Sequence, residues 1–279
     1  MTAHATDPRP MVRVDDVSAE ESRSLDQFDR VVVEAPLAIT VAEQTLVTTM
    51  RTPGHDEELA VGWLISESAI AAVAEITRVE RVGASQLRDW GVEEAVDTVL
   101  AELAPGVEPP QPRAYLTSSS CGVCSSDVLT AAAPQAAPLQ TADWSMSPKM
   151  AHQLIDAMRV QQKMFDLTGS LHGAALAQSN GEILVVREDV GRHNAVDKVI
   201  GHAYRAGVFP LTDHILVVSG RVSYEIVAKA IRAGIAAIVA VSGPTTLAVD
   251  MARARGLVLI GFTRDDRLNI YSGKQRVSA

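Results

Sequence analysis

The sequence predicts an α/β protein in two unequal halves, a small α+β unit followed by a larger α/β unit. Three observations carry this. Two segments of the second half share one plan of strand, Ser-Gly, turn, helix and closing Gly: "HILVVSGRVSYEIVAKAIRAG" and "IAAIVAVSGPTTLAVDMARARG". The first half instead opens on β-branched runs and a single strong helix. Charge divides the same way. Residues 146–279 hold 16 Lys and Arg against 11 Asp and Glu, net +5, while residues 1–145 hold 9 against 23, net −14. A basic half suggests an anionic ligand or partner.

The elements follow in order. Residues 1–24 are polar, charged and Pro-bearing, and are expected to be a flexible arm. Residues 25–110 are expected to form the small α+β domain. "RVVVEAPLAITV" and "QTLVTTMRT" are rich in β-branched residues a turn apart and predict a hairpin. "DEELAVGWLISESAI" spaces Leu59, Ala60, Trp63 and Leu64 as a helix does. Asp56, Glu57 and Glu58 favour its N-terminus. "EITRVERVG" predicts a strand and "VEEAVDTVLAEL" a helix. Residues 111–145, dominated by Pro and small residues, are expected to be a mobile loop and linker.

Residues 146–279 are expected to form the α/β domain. A helix, "MAHQLIDAMRVQQKMF", follows the cap-like "SPK". "HGAALAQSNGEILVVRED" predicts a hairpin with a type I′ turn at Asn180-Gly181. "RHNAVDKVIGHAYRAG" sets Val196, Val199, Ile200 and Ala203 on one helix face. The two repeated βα units come next. Pro244 is placed in a first helical turn, and Gly234 and Gly256 at helix ends. "LVLIGFTRDDRLNIYS" predicts a last strand pair. Alternating strands and helices argue a largely parallel sheet covered on both faces.

Composition excludes several classes. Hydrophobic residues make up 47% of 279, enough for a sizeable core, and aromatics only 4%. The longest apolar runs fall far short of the ~20 residues of a spanning helix, so no membrane partner is expected. No apolar stretch marks the N-terminus as a secretory signal, and the expected compartment is cytoplasmic. No nucleic-acid partner is expected.

The chain holds two cysteines, Cys121 and Cys124, both in "TSSSCGVCSSD". Tetrahedral zinc wants four ligands, and no second Cys-x-x-Cys or close His pair exists, so no metal site is expected. A thioredoxin-like pair normally sits at a helix N-terminus, which this Ser-rich stretch does not resemble. Little here is apolar enough to bury inert thiols. Sulfur carriage fits an exposed loop, where a thiolate holds sulfane sulfur as a persulfide and a second thiol releases it. The pair alone does not decide between carriage and redox.

The basic half offers "GRHN" at a helix start, with exposed amides and a dipole that favour anions. Lys198 lies one turn on. Ser219-Gly220-Arg221 and Ser242-Gly243 follow strands, where open α/β sheets bind ligands. "FTRDDR" adds Arg264 and Arg267. Together these suggest a phosphate-rich ligand.

Six blocks, "SSSCGVCSSD", "TGSLHGAAL", "EDVGRHNAVDKVIG", "SGRVSYEIVAKAIRAG", "VSGPTTLAVDMARARG" and "GFTRDDRLNIY", give the chain a close resemblance to the formate dehydrogenase accessory sulfurtransferase family (FdhD). The resemblance runs from about residue 30 to 272. It implies a homodimer whose larger, C-terminal domain is cytidine-deaminase-like. It implies a sulfurtransferase that takes sulfur from a cysteine desulfurase and passes it to the molybdenum bis(guanine dinucleotide) cofactor, or its tungsten form, before insertion into formate dehydrogenase. By the same resemblance Cys121 carries the persulfide and Cys124 assists. Phe262, Thr263, Arg264, Asp265, Asp266 and Arg267 match the cofactor-binding stretch. His172, Arg192, His193, Asn194, Ser219 and Arg221 are further expected cofactor contacts. GDP serves as a fragment of that cofactor, and Asp265 and Asp266 are assigned to its guanine base.

The chain departs from the family pattern at Ser125 and Ser170, where glycines are expected. The deaminase-like fold does not imply deamination. Zinc deaminases need His-x-Glu followed by Pro-Cys-x-x-Cys, whereas "HGA" at His172 lacks the Glu and the cysteines precede the histidine. Two other readings compete, a cofactor-binding chaperone without sulfur transfer and a dithiol oxidoreductase.

Overall fold

The computed structural model describes residues 5–15, 23–42, 44–67, 73–86, 95–112 and 144–278. The chain begins with an antiparallel ribbon, β1 (Thr6–Asp15) against β2 (Arg23–Val32). Over residues 6–15 and 23–24 this replaces the loose arm expected for residues 1–24. Cross-strand pairing supplies the order that composition does not advertise. The predicted hairpin follows as β3 (Ala35–Val41) and β4 (Gln44–Arg51), then α1 (Asp56–Glu67) and β5 (Ile76–Gln86).

The helix expected at 92–103 is instead β6 (Ala95–Leu103). Val96, Val99, Leu100 and Leu103 do recur at helical spacing. The segment, however, lies inside a four-stranded sheet of order β4-β3-β6-β5, parallel to β3 and antiparallel to β5. Two neighbours satisfy its backbone, and that tertiary pairing overrides the local pattern. Asp97 accepts from Arg51 at 2.6 Å and from Arg81, a role no isolated helix predicts.

In the second half α2 (Pro148–Gln161) starts at Ser147, whose hydroxyl accepts from the Met150 amide, with proline in the first turn. The helix breaks at Gln162. A short α3 (Lys163–Thr168) restarts there because the Glu188 carboxylate accepts from the Met164 and Phe165 amides at 2.9 and 2.7 Å. Then come β7 (His172–Gln178), β8 (Ile183–Asp189), α4 (Arg192–Arg205), β9 (His214–Val218), α5 (Tyr224–Arg232), β10 (Ala237–Ala240), α6 (Thr246–Arg255), β11 (Val258–Arg264) and β12 (Arg267–Ser272).

The six strands order as β12-β11-β10-β9-β7-β8. Only β9, β10 and β11 run parallel; β7, β8 and β12 join antiparallel. The sheet is therefore mixed rather than largely parallel, because two hairpins supply its margins. Both faces are covered. Leu216, Val218, Ile238 and Leu259 pack in a core with α1, α4, α5 and α6. Ile215, Val217, Val239 and Ile260 pack with Leu154 and Met158 of α2. This alternation explains why β9 and β10 read as continuous apolar runs.

Two turn expectations change. Asn180 keeps a negative φ and its side chain accepts from the Glu182 amide, so the β7–β8 loop is not type I′. The type I′ geometry occurs at Asp265-Asp266, with φ of 52° and 56°. Pro244 precedes the N-cap Thr245 rather than lying in the first turn of α6.

The halves share one continuous core. Helices α1 and α4 cross at two glycines. A Cβ on Gly62 would lie 1.8 Å from the Asp197 carbonyl oxygen, and one on Gly201 would lie 1.9 Å from that of Glu58. Buried polar groups brace the joint. Asp197 accepts from Lys229 at 2.8 Å and from Ser66 at 2.8 Å; burial pushes its carboxyl up, and Lys229 opposes the shift. Arg187 grips Glu58 through two hydrogen bonds. Among the described residues no helix is long and apolar enough to cross a membrane.

Candidate functional site

The predicted residues gather at the C-terminal ends of the parallel strands. The strand order turns there, with β10 and β11 on one side of β9 and β7 and β8 on the other. His172 opens β7, and Ser219-Gly220-Arg221 follows β9. Ser219 ties the two strands, its hydroxyl accepting from the Gly173 amide at 2.9 Å and its amide donating to the Gly173 carbonyl at 3.0 Å. Gly220 is the meeting point. A Cβ there would lie 3.4 Å from His172 Nδ1 and 3.7 Å from Arg192 Cδ.

The cluster is cationic and open. Helix α4 starts at Gly191 with no side-chain cap, so the positive end of its dipole faces the site. Arg192 Nε is buried without a hydrogen-bond partner among the described residues. Neither Arg192 nor Arg221 makes an ion pair among the described residues. Burial, then the neighbouring Arg192, holds the His172 imidazole below the usual histidine range, which keeps it neutral near neutral pH. His193 is anchored, with Nε2 3.3 Å from Ser223 Oγ and 3.7 Å from the Glu225 carboxylate. That contact is the main cause holding the Glu225 carboxyl down at about 2.

Two predicted contacts turn inward. The Asn194 amide nitrogen donates to the Met50 carbonyl at 2.8 Å and to Asp189 at 3.0 Å, joining the two halves. Lys198 is buried against Asp189 at 2.7 Å and donates to the Thr52 carbonyl. Asp189 also accepts from the Gly191 and Thr52 amides. It fixes the turn that aims Arg192, and Asn194 and Lys198 belong to that scaffold rather than to a ligand.

The Phe262–Arg267 segment lies on the same edge. Strand β11 is two places from β9, roughly 10 Å away at ordinary strand spacing. The Phe262 amide donates to the Ser242 carbonyl, and its ring covers Gly243, where a Cβ would come within 2.6 Å. Phe262 itself has φ of 52°, a strained conformation for a bulky residue. Thr263 is buried and its hydroxyl has no hydrogen-bond partner among the described residues. Arg264 stacks over Phe262 at 5.7 Å. Asp265 and Asp266 form the exposed hairpin turn, and Arg264 pairs with Arg267 across it.

Cys121 and Cys124 lie outside the described residues. The sequence reading missed a cavity of about 590 Å³ beside His172 and Ser219, lined also by Asp156, Arg159, Gln162 and Phe165. Its existence depends on the break at Gln162. Only the later Glu188, which caps the restarted helix, signals that break.

An uncapped helix start, two arginines with no ion pair among the described residues and a strand-end crevice mark this as an α/β protein with an open cationic corner. The chain belongs to the FdhD/NarQ family, whose model matches residues 32–278. It is 40% identical over 278 residues to the sulfur carrier protein FdhD of Streptomyces coelicolor, covering 98% of this chain and 96% of that one. The protein of the same name from Corynebacterium efficiens is 42% identical over 261 residues, covering 88% and 90%. That of Sulfolobus acidocaldarius is 37% identical over 249 residues, covering 89% and 91%. The fold matches a crystal structure from Desulfotalea psychrophila, described as a formate dehydrogenase accessory protein. The TM-score is 0.76 at 22% identity, covering 99% of this chain and all of that one.

Proposed function

We propose that this protein is a cytoplasmic sulfur carrier that serves formate dehydrogenase. It takes sulfane sulfur from a cysteine desulfurase onto Cys121 and delivers it to the molybdenum bis(guanine dinucleotide) cofactor, its substrate. The observation that carries the reading is the conjunction of kinship and charge. Relatives named sulfur carriers share nearly the whole chain, and an open cationic crevice suits a phosphate-bearing substrate. The larger half is taken as cytidine-deaminase-like and the working form as a homodimer, both in keeping with the family resemblance.

The chemistry balances within the chain. The Cys121 thiolate attacks the outer sulfur of the donor's persulfide. The donor S–S bond breaks, the donor cysteine leaves as a thiolate, and Cys121 holds the sulfur as a persulfide. For release, the Cys124 thiolate attacks Cys121 Sγ. The outer sulfur departs as hydrosulfide toward the cofactor, and the pair closes as a disulfide. The two electrons that reduce the sulfane sulfur come from the two thiols, and a cellular dithiol reductant resets the pair. Arg192, Arg221 and the first amides of α4 supply charge-assisted bonds to phosphate. Neutral His172 adds a hydrogen bond without charge.

A strain lacking its own homologue tests this. The wild-type chain is expected to restore formate dehydrogenase activity, and Cys121→Ala to fail at equal protein level. Full restoration by Cys121→Ala would favour a cofactor chaperone without sulfur transfer.

A further inference from the structure

We propose that the outer edge of β2 is the seam between two copies of this chain, with Phe28 on the two-fold axis and Asp26 of each copy paired to Arg30 of the other. The proposal rests on the homodimeric reading above and gives it a surface. The β1–β2 ribbon lies almost wholly ahead of residues 32–278, the segment that the family model matches. Among the described residues no strand pairs with either of its outer edges, and a two-stranded ribbon alone is marginally stable in water. This ribbon nonetheless exposes Val12, Leu25, Phe28 and Val31, with Phe28 76% exposed.

The two edges differ in what they can bind. The Val33 amide donates to the Ala5 carbonyl at 2.9 Å. In the register that continues from there, Thr6 opposite Val32 to Asp15 opposite Arg23, odd-numbered residues therefore turn their backbone groups inward and even-numbered ones turn theirs outward. On β1 the outward positions include Pro8 and Pro10, which have no N–H to offer, so that edge is blunted. On β2 they include Asp26, Phe28 and Arg30, each with a donor and an acceptor. The Arg30 amide bonds instead to its neighbour's carboxylate, Asp29 Oδ1 at 2.8 Å, a place that a partner strand's carbonyl would take.

The side chains select one register. Aligned antiparallel on Phe28, β2 of each copy sets Asp26 opposite the partner's Arg30, twice by symmetry. On the other face Leu25 meets Val31 and Gln27 meets Asp29. Neither Asp26 nor Arg30 makes an ion pair among the described residues. Four residues apart on one strand, roughly 13 Å, they cannot pair with each other. Alignment on Asp26, Asp29 or Arg30 would set like charges opposite, and alignment on Gln27 would set Leu25 against Asp29. Opposite charges and apolar pairs across strands stabilise a sheet, and like charges destabilise it. The favoured register makes a four-stranded antiparallel sheet, β1-β2-β2-β1, which has the strands a lone ribbon lacks. The contact is self-complementary and closed, and the blunted β1 edges stop further growth.

The test follows the oligomeric state of the full chain by analytical ultracentrifugation. Wild type is expected to be a dimer. Arg30→Asp sets carboxylates opposite one another at both ends of the seam and is expected to weaken the dimer about tenfold or more. Adding Asp26→Arg to the same chain restores opposite charges and is expected to recover it. Phe28→Cys, in a Cys121→Ser, Cys124→Ser background, is expected to cross-link under mild oxidation, since facing Cα atoms of such a pair lie ~5.5 Å apart. Leu25→Cys in that background is expected not to, because the two copies of position 25 lie roughly 20 Å apart across the axis. A dimer that persists in Arg30→Asp with no cross-link at position 28 would overturn the seam and leave the homodimer standing. Failure of the double charge exchange to recover a dimer lost in Arg30→Asp would overturn the Asp26–Arg30 pairing. A monomeric wild type would overturn both the seam and the homodimer.

Discussion

Replacing Gly62 by Ala puts the joint between the halves to a test whose sign is decisive. In an isolated helix the change stabilises by about 1 kcal/mol, because Ala costs less backbone entropy. Here the new Cβ would fall 1.8 Å from the Asp197 carbonyl oxygen, against roughly 3.5 Å for an ordinary contact. The far atom is backbone of α4, braced by Lys229 and Ser66 on Asp197 and by Arg187 on Glu58. It has no flexible end to give. The helices must part, and such overpacking costs about 1–3 kcal/mol or more. Since α4 carries Arg192 at its start, parting also disturbs the cationic cluster. The expected result is a lower Tm by differential scanning calorimetry, by ~2–4 °C per kcal/mol for a chain of this size class, with weaker GDP binding. A Tm at or above wild type would refute the close crossing and with it the rigid placement of Arg192.

Arg192→Gln and Arg221→Gln should each weaken GDP about tenfold or more, and the wild-type affinity should fall as salt rises. Asn194→Ala should cost about 1–3 kcal/mol of stability in chemical denaturation while leaving GDP affinity per folded molecule unchanged, because that side chain faces Met50 and Asp189. The Glu225 carboxyl is held down at about 2, so its contribution is present above the ordinary value of 4.5 and is lost as pH falls from there through about 2. The Tm gap between wild type and Glu225→Gln should accordingly close over that acid range, and a gap that widens on acidification would contradict the His193–Glu225 contact.

Much of the fold was legible where one rule acts locally. The apolar runs of β9 and β10 and the glycines at 234 and 256, both with φ near +70° to +80°, declare buried strands and helix ends directly. The misreadings arise where a distant partner decides. Segment 92–103 has a helical spacing but is claimed by β3 and β5. The ribbon over 6–15 depends on pairing with 23–32. At the site, Arg192, Arg221, His172 and Ser219 were recognisable from helix-start and strand-end logic, and the structure brings them to one corner. Asn194 and Lys198 share the same motif but turn inward, because Asp189 and the Thr52 segment require partners. Gln162 was invisible, since nothing local marks a mid-helix glutamine as buried beside a cavity.

The central claim is that Cys121 accepts sulfane sulfur. Mass spectrometry of the 117–127 peptide, after incubating the protein with a cysteine desulfurase and cysteine, addresses it most directly. The account predicts a gain of one sulfur atom on Cys121 that is absent in Cys121→Ala, sensitive to dithiol reductant, and formed whether or not GDP-binding residues are changed. An unmodified peptide under conditions where the desulfurase itself carries a persulfide would contradict it.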